Sequence, residues 1–288
     1  MAVLIRPRSW GAVKPPPGSS INWGLPLAQG LYLCFPMNEQ GGAPRDLVRG
    51  LQTVATPGAG SVGWAPMGGR RTVGMGARNT GVGYWSLGAE GSAPLTSMPT
   101  TACTVMLARH TVAQAGNDCA FGIGTDSAHE CLAYISFAGT VYWDYGGGAG
   151  ANRVSVGGLS LADDTWAFVA GLRGSMIVQN GVVRASQGTA ISRMVGTETF
   201  GIGNGGGSST NNAGNENRYG FFYMWSRELS LTEIQWLHAE PFALLNPPAP
   251  KILYFDFLKP ATAAGTPGLA NVTRKLGLTA PQQLVGHG

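Results

Sequence analysis

The chain has 288 residues and 29.9 kDa, with 45 glycines, 18 prolines and a hydrophobic content of 44%. Glycine and proline without a Gly-X-Y period exclude collagen, and that much apolar side chain excludes a wholly disordered chain. Their cost of about 1 and 3 kcal/mol in a helix interior argues against a helical bundle, which leaves a turn-rich β protein with one core. No apolar run approaches the ~18 residues that a membrane-crossing helix needs. The apolar start before Arg6 and Pro7 is also shorter than the roughly 7–15 residues of a signal-peptide core. The net charge of +4 is unevenly spread: residues 30–243 hold 12 arginines against 14 acids, whereas the flanks hold 7 basic residues, including every lysine, against Asp256 alone. Basic flanks on a nearly neutral middle suit docking to acidic surfaces. They lack the dense Lys/Arg clusters and interleaved aromatics of a nucleic-acid binder, so neither a specific nucleic-acid partner nor a membrane is expected.

In chain order, residues 1–29 are rich in Pro, Gly and Ser around Trp10 and Trp23, and Pro15, Pro16 and Pro17 favour an extended path. This segment reads as an N-terminal arm. From Gly30 the pattern changes to short apolar runs separated by turn residues, at 31–37, 102–109, 132–137, 141–145, 166–172, 176–178, 182–185, 200–202 and 219–225. Such spacing predicts a sandwich or barrel. Asn180-Gly181 between two apolar runs predicts a hairpin with a type I′ turn, because both residues accept positive φ. Ser230-Leu-Thr-Glu233 predicts a capping box opening a short helix that Pro241 ends. Trp143, Trp166 and Trp225 lie within apolar runs and are expected in the core. After residue 243 the Pro-rich stretch 246–250, the apolar stretch 252–257 and an Ala/Gly/Thr/Pro tail read as a C-terminal arm, residues 244–288.

The motifs that carry chemistry are sparse. Gly-x-Gly-x-x-Gly occurs at Gly58, Gly60, Gly63 and at Gly201, Gly203, Gly206, but neither opens a helix on which a pyrophosphate would rest. There is no Gly-Lys-Ser/Thr phosphate loop and no Gly-x-Ser-x-Gly elbow. No two of the 15 acids stand two apart, the spacing that would put a glycosidase pair on one strand face. Catalytic residues are therefore none. Cys34, Cys103, Cys119 and Cys131 read as free core thiols, with a Cys119–Cys131 disulfide as the alternative. Cys119, His129 and Cys131, with His110, lack the C-x2-C spacing of a zinc site. The loop 203–217 gathers Asn204, Asn211, Asn212, Asn215 and Glu216, whose oxygens suit sugar hydroxyls; calcium is the one metal they would fit, and no cofactor is expected. As a solvated loop, the same residues would simply tolerate left-handed turns.

Three ordered segments resemble the laminin-G-like branch of the concanavalin A-like lectin/glucanase superfamily. They are Gly30 to Glu39 followed by Asp46-Leu-Val-Arg-Gly50; Trp166-Ala-Phe-Val-Ala170 with Asn180-Gly181; and Met224-Trp-Ser-Arg227-Glu-Leu-Ser230 with Glu233-Ile234. Many members carry an acidic pair on the last strand, where this chain has Gly220 and Phe221. The resemblance implies an all-β jelly roll of two antiparallel sheets over 30–243, with one short C-terminal helix. The stretch from Leu237 to Pro248 and the opening from Ile21 to Leu31 resemble such modules in tailed-bacteriophage structural proteins. That implies a virion protein, made in the host bacterial cytoplasm and not an enzyme, whose arms dock on capsid or tail subunits or on further copies of itself. Arg6, Arg8, Trp10, Lys14, Trp23, Lys251, Tyr254, Phe255, Phe257 and Lys259 would make those contacts. The alternative is a carbohydrate-binding module for host-surface glycans, and a third reading is a glycoside hydrolase.

Overall fold

The computed structural model describes residues 14–39, 41–56, 61–67, 74–80, 83–113, 117–123, 129–146, 153–189, 192–203 and 216–246. The chain divides into two units, Met1–Pro248 and Ala249–Gly288, and the second lies outside the described residues. In chain order the strands of the first unit are β1 (Ser20–Ile21), β2 (Leu31–Phe35), β3 (Val54–Thr56), β4 (Val62–Met67), β5 (Gly74–Thr80), β6 (Tyr84–Ala89), β7 (Cys103–Ala113) and β8 (Asp118–Ile123). There follow β9 (Cys131–Phe137), β10 (Thr140–Tyr145), β11 (Val154–Gly157), β12 (Asp164–Ala170), β13 (Ser175–Gln179), β14 (Val182–Gln187), β15 (Thr199–Ile202), β16 (Glu216–Trp225), the helix α1 (Leu231–Ala239) and β17 (Leu245–Asn246).

Two antiparallel sheets form a sandwich. One is seven-stranded, in the order β11-β10-β9-β8-β15-β6-β3; the other is eight-stranded, β14-β13-β12-β7-β16-β5-β4, with β2 also on β16. The all-β jelly-roll expectation holds. Strand β16 serves two neighbours along one edge, β5 at residues 216–219 and β2 at residues 222–225, while β7 runs along its other edge. Alternation along the strands sorts the side chains. Leu33, Phe35, Val105, Leu107, Phe121, Trp143, Trp166, Phe168, Phe200 and Phe222 fill the space between the sheets. Their rings meet at centroid distances of 5.4–6.4 Å, as in Phe121–Phe222 and Phe35–Phe222. Trp143, Trp166 and Trp225 are fully buried, as expected.

A second apolar cluster lies on the outer face of the eight-stranded sheet. Met106, Ala167, Val178, Phe221, Tyr223 and Trp225 point away from the sandwich interior. They are covered by Ile21, Leu27, Ala28, Leu229, Ile234, Leu237, Phe242, Leu244 and Leu245. Residues 14–29 are thus not an extended arm. Their Pro content keeps them out of the sheets, yet Leu27 and Ala28 are buried, β1 pairs with β17, and Trp225 Nε1 donates to Leu27 O at 2.8 Å. The folded body also runs past residue 243, because Leu244 and Leu245 are part of this cluster.

The two local signals read from sequence are present. Asn180 and Gly181 have φ of 53° and 77° between β13 and β14. Ser230 Oγ accepts from the Glu233 amide at 3.3 Å, and Glu233 Oε2 accepts from the Ser230 amide at 2.8 Å. At one end of the sandwich a polar network crosses between the sheets. Arg109 on β7 pairs with Asp118 on β8, both side chains fully buried. Asp118 accepts from Asn217 Nδ2 at 2.7 Å, and Asn217 accepts from Thr111 Oγ1 at 2.8 Å.

Candidate functional site

The outer face of the seven-stranded sheet differs from that of its partner, because among the described residues no helix or further strand layer covers it. The registers define which side chains share it. Cys119, Tyr134, Tyr142 and Ser155 stand opposite one another across β8, β9, β10 and β11. A second row runs Val54, Ser86, Gly201, Gly122, Leu132 and Asp144 across β3, β6, β15, β8, β9 and β10. Cys119, Gly122, Leu132, Asp144 and Gly201 are buried; the exposed members of these rows are Val54 at the β3 edge and, at the β9–β10–β11 side, Ser155 with the partly exposed Tyr134 and Tyr142.

A tight hairpin shapes the β9–β10–β11 side. Phe137 pairs with Thr140 across the two-residue turn Ala138-Gly139, whose φ angles of 49° and 78° give the twist of a primed turn. Tyr134 and Tyr142 therefore face each other on the outer side, while Cys131, Ala133, Ile135, Val141 and Trp143 point into the core. The Phe137 ring sits edge-on to both tyrosines, 5.4 Å from Tyr134 and 5.8 Å from Tyr142 between centroids. Phe137 is 37% exposed, and both tyrosines are partly exposed.

Arg153, just before β11, completes the group. Its guanidinium lies over the Tyr142 ring, 4.7 Å from the centroid, and grips Asp144 in a fork, Nε to Oδ1 at 2.6 Å and Nη2 to Oδ2 at 2.8 Å. The Asp144 side chain is fully buried, while that of Arg153 is 29% exposed. Burial pushes the Asp144 carboxyl up and the Arg153 hydrogen bond opposes this; that same bond raises the arginine. Burial also raises the Tyr134 phenol, helped by Cys119 and Asp144. The result is a step of three aromatic rings beside a fixed, planar donor and a phenolic hydroxyl. Apolar faces with a few fixed polar groups are what orient a small polar ligand.

None of the described residues singled out from sequence belongs to this group. Asn204, Asn211, Asn212 and Asn215 fall outside the described residues, as do Arg6, Arg8, Trp10, Lys251, Tyr254, Phe255, Phe257 and Lys259. Glu216 opens β16 and is engaged by Arg218 Nη2 at 2.8 Å and Arg78 Nε at 3.2 Å, which together hold its carboxyl below the usual range. Lys14 donates to Met37 O within the body, and burial brings its ammonium down to about 7 against the opposing pull of Glu39. Trp23 is 60% exposed. Asp163 contacts His110, and Asp164 accepts from Asn180 Nδ2 at 2.8 Å. Among the described residues no three His, Cys, Asp or Glu side chains gather as a metal site.

The aromatic step was not legible in the sequence: Tyr134 stands four residues before Ala138 and Tyr142 three after Gly139, and the irregularity between Thr140 and Tyr142 is what sets the two tyrosines opposite each other. Alanine at a positive φ hid the turn. Arg153 gave no local signal, because β11 places it.

No family model matches this chain, and no curated protein matches it. Solved structures do. Domain 4 of AbnA, a GH43 extracellular arabinanase from Geobacillus stearothermophilus, solved in complex with arabinotriose, is 11% identical with a TM-score of 0.55, over 72% of this chain and 98% of that one. Trypanosoma rangeli sialidase is 16% identical with a TM-score of 0.52, over 75% of this chain but only 33% of its own length. The binding domain of botulinum neurotoxin DC, solved in complex with SialylT, is 10% identical with a TM-score of 0.52, over 74% and 52%. At these identities the likeness establishes the fold, a β-sandwich of the lectin-like jelly-roll kind. Enzymes and a binding domain both share it.

Proposed function

We propose that this protein is a carbohydrate-binding module, and that it holds sugar at the outer face of its seven-stranded sheet. The observation that carries this is the group of Tyr134, Phe137 and Tyr142 with Arg153 locked over Tyr142 by a buried Asp144. A pyranose or furanose ring has an apolar face of C–H groups and a rim of hydroxyls. The aromatic step matches the first; the Nη1 edge of Arg153, outside its fork on Asp144, and the Tyr134 hydroxyl match the second. Two of the similar solved structures were determined with a glycan bound, arabinotriose in one and SialylT in the other, which supports the same reading. The virion placement implied by the sequence resemblance has no counterpart among these structures.

The test is binding to a glycan array followed by calorimetry on the best ligand. Phe137→Ala and Tyr134→Ala together should weaken binding about tenfold or more, since each stacked ring contributes on the order of 1 kcal/mol. Their thermal midpoint should stay close to that of the parent chain. No binding to any glycan, or a double variant that binds like the parent, would overturn the proposal.

A further inference from the structure

Three charged groups border the aromatic step. Arg153 is the cation, with one face over the Tyr142 ring and its Nε–Nη2 edge taken by Asp144 at 2.6 and 2.8 Å. The Asp144 side chain is fully buried, so this pairing compensates the arginine in surroundings that salt and water screen poorly. Glu130 is the third group. Cys131, Ala133 and Ile135 point into the core, so alternation along β9 turns Glu130 outward with Leu132 and Tyr134. Glu130 lies two residues before Leu132, about 7 Å along the strand direction, and Leu132 is the residue that pairs with Asp144. Gly146 N donates to Glu130 O at 2.7 Å, which fixes that end of the β9–β10 pair. Glu130 is partly exposed, and its negative field reaches both Arg153 and Tyr134. Among the described residues one guanidinium thus stands against two carboxylates, and the balance beside the rings is negative.

We propose, resting on the reading of this step as a sugar site, that it admits uncharged sugars and rejects those that carry a carboxylate or a sulfate. A hydroxyl needs from Arg153 only the donor at Nη1, outside the fork, and it brings no charge of its own. A ligand carboxylate on that edge would share the guanidinium with Asp144. Two like charges would then stand a few ångströms apart beside a fully buried group, where their repulsion is weakly damped. The other way to seat such a ligand is for Arg153 to let go of Asp144, which strands a buried carboxylate and is more costly still. Glu130 adds to the repulsion from the same face. An arginine recruits acidic ligands when its charge is uncompensated, and here Asp144 already compensates it. The selectivity is therefore a matter of charge, while the rings supply the apolar contact that neutral and acidic sugars have in common.

The full chain should be applied to an array of neutral oligosaccharides printed beside the same backbones carrying sialic acid, uronic acid or sulfate, and the best matched pairs titrated by calorimetry. Binding to neutral members is expected, with each acidic counterpart about tenfold weaker or more, the effect of placing like charges together. The affinity for the neutral ligand should hardly change between low and high salt, because no net ion pair forms. Glu130→Gln should narrow the gap between acidic and neutral ligands by about two- to fivefold, the worth of one partly exposed charge. A parent chain that binds acidic members as tightly as their neutral counterparts, or more tightly, overturns the selectivity and leaves the sugar-binding reading standing. Binding to no glycan at all overturns both. Neither of these results requires a variant to fold.

Discussion

Arg109 and Asp118 meet in the interior, where neither side chain touches water. A buried pair of this kind contributes little beyond an apolar pair of equal volume, but losing one partner strands the other charge at a cost of about 3–5 kcal/mol. Asp118→Ala should therefore lower stability by that order in a denaturant titration, whereas Tyr134→Ala at the exposed step should cost far less. A loss under about 1 kcal/mol for Asp118→Ala would mean that Arg109 finds another partner or water. The contrast separates two uses of polar residues here: the Arg109 network joins the sheets, while buried Asp144 holds the partly exposed Arg153 guanidinium over Tyr142. Sequence spacing marks neither, since Asp144 lies on β10 and Arg153 just before β11, and Arg109 and Asp118 lie on different sheets. Their meeting is a property of register.

At the scale of elements, the short-range signals were legible and the long-range ones were not. Asn180-Gly181 and the Ser230–Glu233 box act within a few residues, so their chemistry is complete in the sequence. Strands β4, β5, β6 and β8 were missed because glycine and polar residues interrupt them, as in Gly74-Met-Gly-Ala-Arg-Asn-Thr80; neighbouring strands supply their pairing. The loop around Asn211 stands out by composition, whereas the aromatic step depends on the turn and on the irregular register of two adjacent strands. Helix α1 lends itself to a direct test. Ser230→Ala should cost about 1 kcal/mol, the usual loss of an N-cap. Burial raises the Glu233 carboxyl, but hydrogen bonds from Arg227 and Ser230 outweigh it and leave its pKa below 4.5 in the folded chain. A carboxylate depressed in this way stabilises the fold fully above its unfolded pKa and ceases to do so as the pH falls through the folded value. The destabilisation caused by Glu233→Gln should thus be present at pH 7 and fade toward pH 3 in parallel melts. A difference that stays constant over that range would place the effect elsewhere.

At the scale of the molecule, the eight-stranded sheet is apolar on both faces, and its outer face is closed by the chain on either side of the sandwich. A variant that starts at residue 31 removes Ile21, Leu27 and Ala28 from that cover and uncovers Trp225 and Tyr223. It should aggregate or melt well below the parent chain, as measured by light scattering and calorimetry. A monomeric variant with an unchanged midpoint would show that the cover is dispensable. The composition of this segment, rich in Pro and Gly, reads as an arm because its apolar residues are few; those few are spaced to land on a face already prepared for them.

Pairing of Ser20 with Asn246 and of Ile21 with Leu245 brings the two edges of the folded body side by side, although residues 14–16, bonded to Met37 and Asn38, carry it somewhat beyond that point. Such a body can be spliced into a surface loop of another protein without prising its host apart. Joining the two ends by a short linker and opening the chain at Ala138-Gly139 should give a permuted protein with the same sheets, and with the new termini beside the aromatic step.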